Sequence, residues 1–235
     1  MTPTRWLRAA AADLDAIRGR DPSVHSRGEA LLHPALPALW GYRAAHRLHT
    51  AGLRRTARLL SNAARVLSGG VEIHPGATIG RRFFVDHGSG VVIGETAVIG
   101  DDVTLFHQVT LGSTGWWNDR ARPAGARRHP AVGDRVVIGA GATLLGPITV
   151  GADAVIGAQA LVIHDVPERA RVLAPVAGAA AGRTSAGRRP VRRLRAVDGA
   201  APADGPAARA DGSADSADSA DGRARASTAR AFPIW

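Results

Sequence analysis

Cysteine and lysine are both missing from this 235-residue chain, and aromatic side chains make up only 4% of it. Without cysteine there is no disulfide frame, no thiolate metal site and no sulfur nucleophile, a composition compatible with a reducing cytoplasm. So few aromatics suit a narrow core of aliphatic side chains better than a sandwich or a doubly wound sheet. No stretch approaches the roughly 18 to 20 apolar residues of a membrane span. The opening segment, Met1 to Asp15, carries Asp13 and Asp15 and no long apolar run, so it does not read as a secretory signal. The formal net charge of +10 rests on arginine alone. Such a balance suggests nucleic acid or an anionic ligand, but most of the excess lies outside the region described next, and arginine-only, alanine-rich usage reads as compositional drift.

What the sequence does contain is a hexad. Ile, Val or Leu recurs every sixth residue from Ile73 to Val162, as Ile73, Ile79, Val85 and Val91, then Ile93, Ile99, Leu105 and Leu111, and finally Val132, Ile138, Leu144, Val150, Ile156 and Val162. The phase slips by two residues after Val91. A small or modest residue follows four positions later (Ala77, Ser89, Ala97, Val103, Ala142, Ala154, Ala160). A period of six fits neither an amphipathic helix nor an alternating strand. It marks a parallel β-helix in which each hexad is one flat side and three sides complete a turn. The recurring glycines (Gly80, Gly94, Gly100, Gly133, Gly139, Gly151, Gly157) are expected to permit tight corners. Prisms of this type are left-handed, an exception to the general crossover rule.

The chain therefore divides into an N-terminal helical region (1–70), a left-handed parallel β-helix (71–178) and a low-complexity tail (179–235). In the first region Trp6, Leu7, Ala10, Leu14 and Ile17 form a helical stripe, Gly19 to Ser26 breaks it, and further helices are expected over Leu36 to Leu48 and Leu53 to Leu67. The region is read as a cap on the first coils, with Trp40 and Tyr42 as packing. Between Gly112 and Ala131 a loop replaces the hexad, carrying Trp116-Trp117 and ending Arg128-His129-Pro130. It is either a tolerated surface insertion or a ligand-facing or subunit-facing element. The Ala, Gly, Arg, Asp and Ser tail has little apolar area to offset the entropy of ordering it and is expected to be disordered, with Phe232 to Trp235 its one apolar patch.

Among nine histidines, His87 stands out because it follows Asp86 inside the repeat. Glu72 precedes the first hexad and, at about 18 residues per coil, falls on the adjoining coil, where contact with His87 is possible. His74 reads as structural, and His25, His33, His46, His49 and His164 as caps or solvated faces. His107 lies on a coil side.

These motifs are similar to those of the serine O-acetyltransferases, a hexapeptide-repeat family. The resemblance runs from about Asp13 to Val166. It is carried by Glu-Ile-His-Pro-Gly-Ala-Thr-Ile-Gly at 72–80, Asp-His-Gly-Ser-Gly-Val-Val-Ile-Gly-Glu-Thr-Ala at 86–97, Val-Thr-Leu-Gly at 109–112, Arg-His-Pro at 128–130 and Ile-Gly-Ala-Gly-Ala at 138–142, with Asp21-Pro22 and Tyr42-Arg43-Ala44-Ala45-His46 in the helical region.

The resemblance implies a set of roles. His87 would be the general base and Glu72 its orienting acid. Asp21 and Asp86 would bind the serine ammonium, Arg128 and His129 its carboxylate. Acetyl-CoA, a co-substrate and not a resident cofactor, would lie between neighbouring prisms against Gly112, Ser113, Gly139 and Ala140, with no metal. It further implies a cytoplasmic homotrimer or dimer of trimers, cysteine feedback at the serine site, and a C-terminal isoleucine that docks into O-acetylserine sulfhydrylase, here followed by Trp235. Ser113 replaces a family glycine and the loop is longer than usual. Two other readings stand beside this one: a hexapeptide acyltransferase using a sugar, antibiotic or other acceptor, and a non-enzymatic assembly or nucleic-acid binding protein acting through the arginine-rich tail.

Overall fold

The computed structural model describes residues 3–175. The expectations for 179–235, including the apolar patch at Phe232 to Trp235, lie outside the described residues.

Four helices come first: α1 (Pro3–Arg20), the short α2 (Arg27–Ala30), α3 (Leu36–Thr50) and α4 (Arg54–Leu67). Ala10, Asp13 and Ile17 are buried on one face of α1 at helical spacing. Asp13 is a carboxylate on that face, held by the fork of Arg43: Nε donates to Oδ2 at 2.8 Å and Nη2 to Oδ1 at 2.6 Å. Burial pushes the Asp13 carboxyl up from its ordinary range, and the Arg43 fork opposes that. The inner face of α4 is small (Ala57, Ser61, Ala64), and a Cβ on Gly41 of α3 would strike the Cβ of Ala64. These two helices therefore pack at close range. They close the end of the prism, with Tyr42 donating to Ala77 O at 2.6 Å and Ser61 to Ile73 O at 2.7 Å. The expectation of a helical cap is met, and Tyr42 is part of the packing.

The coils follow. The first is β1 (Glu72–Ile73), β2 (Thr78–Ile79) and β3 (Phe84–Val85); the second is β4 (Val92–Ile93), β5 (Val98–Ile99) and β6 (Thr104–Leu105). The third begins with β7 (Thr110–Gly112), is interrupted by the one-turn α5 (Trp116–Arg120), and resumes with β8 (Ala131–Val132) and β9 (Val137–Ile138). Then come β10 (Thr143–Leu145), β11 (Thr149–Val150), β12 (Val155–Ile156), β13 (Leu161–Val162) and β14 (Arg171–Val172). Every third strand pairs in parallel up to β13, and β14 then pairs with β12, giving three sides: side A, β1-β4-β7-β10-β13; side B, β2-β5-β8-β11; side C, β3-β6-β9-β12-β14. Ile93, Leu111 and Leu144 stack inside side A, Ile99, Val132 and Val150 inside side B, and Val85, Leu105, Ile138 and Ile156 inside side C, all buried.

Pairing register locates the two irregularities of the repeat. Glu72 pairs with Val92, 20 residues on, whereas Val92 pairs with Thr110, 18 on. The two extra residues fall in the corner between β3 and β4. Val98 pairs with Ala131, 33 residues on, so the loop adds 15 to a coil at the corner between β7 and β8. Two details of the hexad reading shift as a result. Val91 is buried but belongs to the new phase, two residues before Ile93, and Ser89 is exposed in the widened corner.

The corner glycines are also corrected. Gly80, Gly94, Gly100, Gly133, Gly139, Gly151 and Gly157 do not have positive φ. They are glycine because the next coil leaves no room: a Cβ on Gly139 would lie 2.5 Å from Ala158 N, and one on Gly133 2.7 Å from Ala152 N. Many left-handed corner positions are instead taken by longer side chains. On the corner between sides B and C they are Arg82, Asp102, Arg135, Asp153 and Arg169, with φ of 53 to 62°, and Arg82 pairs with Asp102 and Arg135 with Asp153.

Replacing Asp13 by alanine leaves Arg43 buried without its carboxylate and is expected to cost about 3 kcal/mol. Asp15→Ala, which breaks only an exposed pair with Arg27, is expected to cost less than about 1 kcal/mol. Denaturant midpoints of the two variants check the difference.

Candidate functional site

The widened corner between β3 and β4 carries Asp86 and His87. His87 is left-handed (φ 59°) and its side chain is 76% exposed, with Nε2 3.7 Å from Asp86 Oδ1. Gly88 follows at φ 72°, and a Cβ there would meet Val71 Cγ2 at 2.6 Å. That glycine lets the corner sit tight against the prism and so holds its neighbour outward. One coil on, Gln108 N donates to Ser89 O at 2.8 Å, and the ring of His107 stands nearly perpendicular to that of His87, 6.1 Å between centroids.

The turn after α1 brings Asp21 toward this corner. Its Oδ1 accepts from Ser23 Oγ at 2.6 Å and from Ser23 N at 2.9 Å, and these bonds, the hydroxyl's first, hold the carboxyl below its usual range. Oδ2 is left facing His33 Nε2 at 3.9 Å. His33 corrects an expectation: it lies in the helical cap, but at 6% exposure it is not on a solvated face. Its Nδ1 accepts the N–H of Ala35 at 3.3 Å, so the neutral ring carries its proton on Nε2, toward the acids. Burial pushes its pKa down, opposed by Asp21 and Asp86. Asp21, His33, Asp86 and His87 thus interact as one group. Sequence reasoning missed His33 because its place depends on the turn between α1 and α2, which no periodicity encodes.

Glu72 lies on β1, outside the inward column, and its carboxylate is 2.9 Å from Arg65 Nη1 of α4. The carboxylate beside the His87 imidazole is that of Asp86.

Arg128 and His129 stand at a different corner, between sides A and B, where His74, Glu95 and Thr96 lie on successive coils. The His129 ring lies over Gly94, where a Cβ would strike it. Its Nδ1 accepts from Thr96 N at 3.2 Å, and Thr96 Oγ1 in turn accepts from Arg128 N at 2.8 Å and His129 N at 3.2 Å. Burial, then the charge of Arg128, lower the His129 pKa. The neutral ring therefore presents an Nε2–H donor. Arg128 Nη2 donates to Glu95 Oε2 at 2.5 Å and Nη1 to Asp119 Oδ2 at 3.2 Å. Asp119 comes from α5 in the loop, and a cleft of about 460 Å³ there is lined by Glu95, Thr96, Trp116, Asp119, Arg120 and Arg128. Trp116 and Trp117 are exposed and meet edge to face, with the Arg120 guanidinium 4.7 Å from the Trp116 ring centre.

Of the positions expected to meet acetyl-CoA, Gly112 and Ser113 leave side A on the Arg128 corner, and Gly139 and Ala140 enter it on the His87 corner. Gly112 O accepts from Gly146 N at 3.0 Å and Gly139 N donates to Ile156 O at 2.8 Å. Among the described residues no hydrogen bond or ion pair joins the His87 group to the Arg128 group. The first edges side A on one flank and the second on the other.

Residues 129–164 match the family described as Bacterial transferase hexapeptide (six repeats). The chain is 50% identical over 168 residues to a serine acetyltransferase of Mycobacterium tuberculosis, covering 71% of this chain and 70% of that one. Among solved structures it is similar to serine acetyltransferase isoform 3 of Entamoeba histolytica in complex with cysteine, with TM-score 0.68 and 35% identity over 76% of this chain and 62% of that one. It is also similar to a serine acetyltransferase in complex with CoA, with TM-score 0.66 and 38% identity over 73% and 68%. The three-sided coil is the left-handed parallel β-helix expected from the hexad.

The second corner also makes a pH prediction. Burial, then Arg58, push the His74 pKa down to about 4, and His33 and His129 move the same way. The unfolded chain then binds protons that the folded chain does not, so stability is full above about pH 6.5 and falls as pH drops from there toward 4. His74 Nδ1 accepts from Gly76 N at 2.9 Å, an acceptor that asparagine can supply. His74→Asn is expected to flatten the fall in urea midpoint between pH 6.5 and 4.

Proposed function

Because the chain belongs to the serine acetyltransferase family, we propose that it moves the acetyl group of acetyl-CoA onto the hydroxyl of L-serine, giving O-acetylserine and free CoA for cysteine biosynthesis. The observation that carries this reading is the widened corner, which projects His87 from a rigid coil with carboxylates beside it and leaves its imidazole open to a ligand.

In the proposed reaction His87 takes the proton of the serine hydroxyl as its oxygen attacks the thioester carbonyl. Asp86, 3.7 Å away, stabilises the imidazolium that forms, and the imidazolium returns the proton to the departing thiolate sulfur. Asp21 and Asp86 hold the serine ammonium. Glu72 orients His87 by exchanging its Arg65 partner for the imidazole. Arg128 and the Nε2–H of His129 hold the substrate carboxylate, which displaces Glu95 or Asp119 from the arginine fork. CoA runs along the edges of side A by Gly112, Ser113, Gly139 and Ala140. Cysteine, with a thiol in place of the hydroxyl, fits the same ammonium and carboxylate contacts and would compete with serine.

The ammonium and carboxylate groups of the site lie on different corners of one prism, so we place the complete site between chains, where the His87 corner of one copy faces the Arg128 corner of the next, as in a trimer. Among the described residues no helix is long and apolar enough to cross a membrane, and we assign the enzyme to the cytoplasm.

His87→Ala is expected to lower kcat for serine-dependent thiol release from acetyl-CoA by about 10² to 10⁴; near-native turnover would end the assignment. Co-assembling His87→Ala with His129→Ala tests the shared site. If each site draws on two neighbouring chains, random mixing restores about a quarter of native activity, whereas sites built within one chain restore none.

A further inference from the structure

A cavity of about 680 Å³ opens between α1, α3 and the corner that follows β2. None of the candidate site residues lines it. Ala9, Ala12, Tyr42 and Ile79 give it apolar surface, and Arg8, Arg43, Arg47, Arg81 and Arg82 also line it, with Asp101 the one carboxylate. Three of these arginines are committed within the chain: Arg43 to buried Asp13, Arg81 to Asp101 and Arg82 to Asp102. Arg8 and Arg47 have no carboxylate partner among the described residues. Arg47 Nη2 is buried with no hydrogen-bond acceptor, so the guanidinium has to turn toward the cavity for a ligand there to reach it. His46, also on the lining, is held at Nδ1 by Pro75 O at 2.8 Å, which fixes the ring on its side of the cavity.

Two uncompensated guanidinium groups from two different helices therefore share an apolar-walled space of small-molecule size. We propose that this cavity binds a small organic dianion with an apolar body, of the phosphate monoester class. A phosphate monoester has two charges to balance Arg8 and Arg47 and three oxygens to accept from their N–H groups. Its ring or short alkyl group covers Ala9, Ala12 and Ile79. The cavity lies on side B and its corner, whereas His87 edges side A, and the proposal does not rest on the acetyl-transfer reading.

Isothermal titration of the full chain with phenyl phosphate at pH 8, with saturating dephospho-CoA, which has no phosphate monoester, present to fill the groove of the acetyl-transfer site, tests it. One site per chain is expected, with inorganic phosphate and phenol each binding at least about tenfold more weakly, because each supplies half of the recognition. Arg8→Ala and Arg47→Ala are each expected to weaken phenyl phosphate by about tenfold or more. Arg8 is exposed, so its variant folds whether or not Arg47→Ala does. Arg54→Ala, which removes an exposed arginine of α4 away from the cavity, should leave binding unchanged. Absence of saturable binding, abolition by dephospho-CoA, or an equal loss in Arg54→Ala would overturn the proposal.

Discussion

The strands of this prism are two or three residues long, too short to be stable alone, so each exists only because the coils above and below hold it in register. What the structure depends on is the vertical stacking of aliphatic side chains at fixed inter-coil spacing. A slip of one residue anywhere in a strand would turn an inward Ile or Leu outward and break the column. The same spacing dictates glycine at the corners where one backbone passes directly beneath another, as at Gly133 and Gly139. Length can therefore vary only at corners. The two insertions, two residues between β3 and β4 and 15 between β7 and β8, obey this rule and leave the strand pairing on every side intact.

With no lysine, all cationic work falls to arginine, whose planar fork matches a carboxylate in two parallel bonds. The chain uses that fork where geometry repeats. Left-handed corner positions one coil apart put Arg82 beside Asp102 and Arg135 beside Asp153. These exposed pairs contribute little individually. Arg43 with Asp13 differs, because Asp13 is fully buried and its charge is tolerable only while the fork is in place. The pair ties α1 to α3, and Arg43 Nη2 also reaches Gly80 O at 3.4 Å, so the helical cap and the first coils are joined through one guanidinium.

The fold was legible in the sequence because hexad position and burial have the same cause, the inward column. Phase was less legible at its one slip. Val91 fits either phase, and only pairing register shows that it belongs with Ile93. The glycines were read as conformational when the constraint on them is spatial, a distinction invisible without the neighbouring coil. Of the candidate site, Asp86-His87 could be found because it decorates a broken hexad, and Arg128-His129 because it ends the loop. His33, Thr96, Glu95 and Asp119 could not be assigned from spacing. Their partners are brought together by a turn, by coil stacking or by a loop helix, and each of these is a three-dimensional coincidence of segments far apart in sequence, such as Thr96 with His129.

The placement of function at corners has a consequence for how this site can work. A strand face is fully committed: its backbone bonds to neighbouring coils and its inward side chain to the core. His87 and Arg128 are outward side chains on rigid corners, and the two corners that flank side A carry the two groups of the candidate site. A flat side of paired strands cannot bend to bring its edges together without breaking the ladder, so one prism cannot close both groups around a single small substrate. The site proposed between chains meets that constraint. In the proposed site between chains each prism would contribute rigid geometry at both edges, and the position of His87 relative to Arg128 would be set by how two prisms pack.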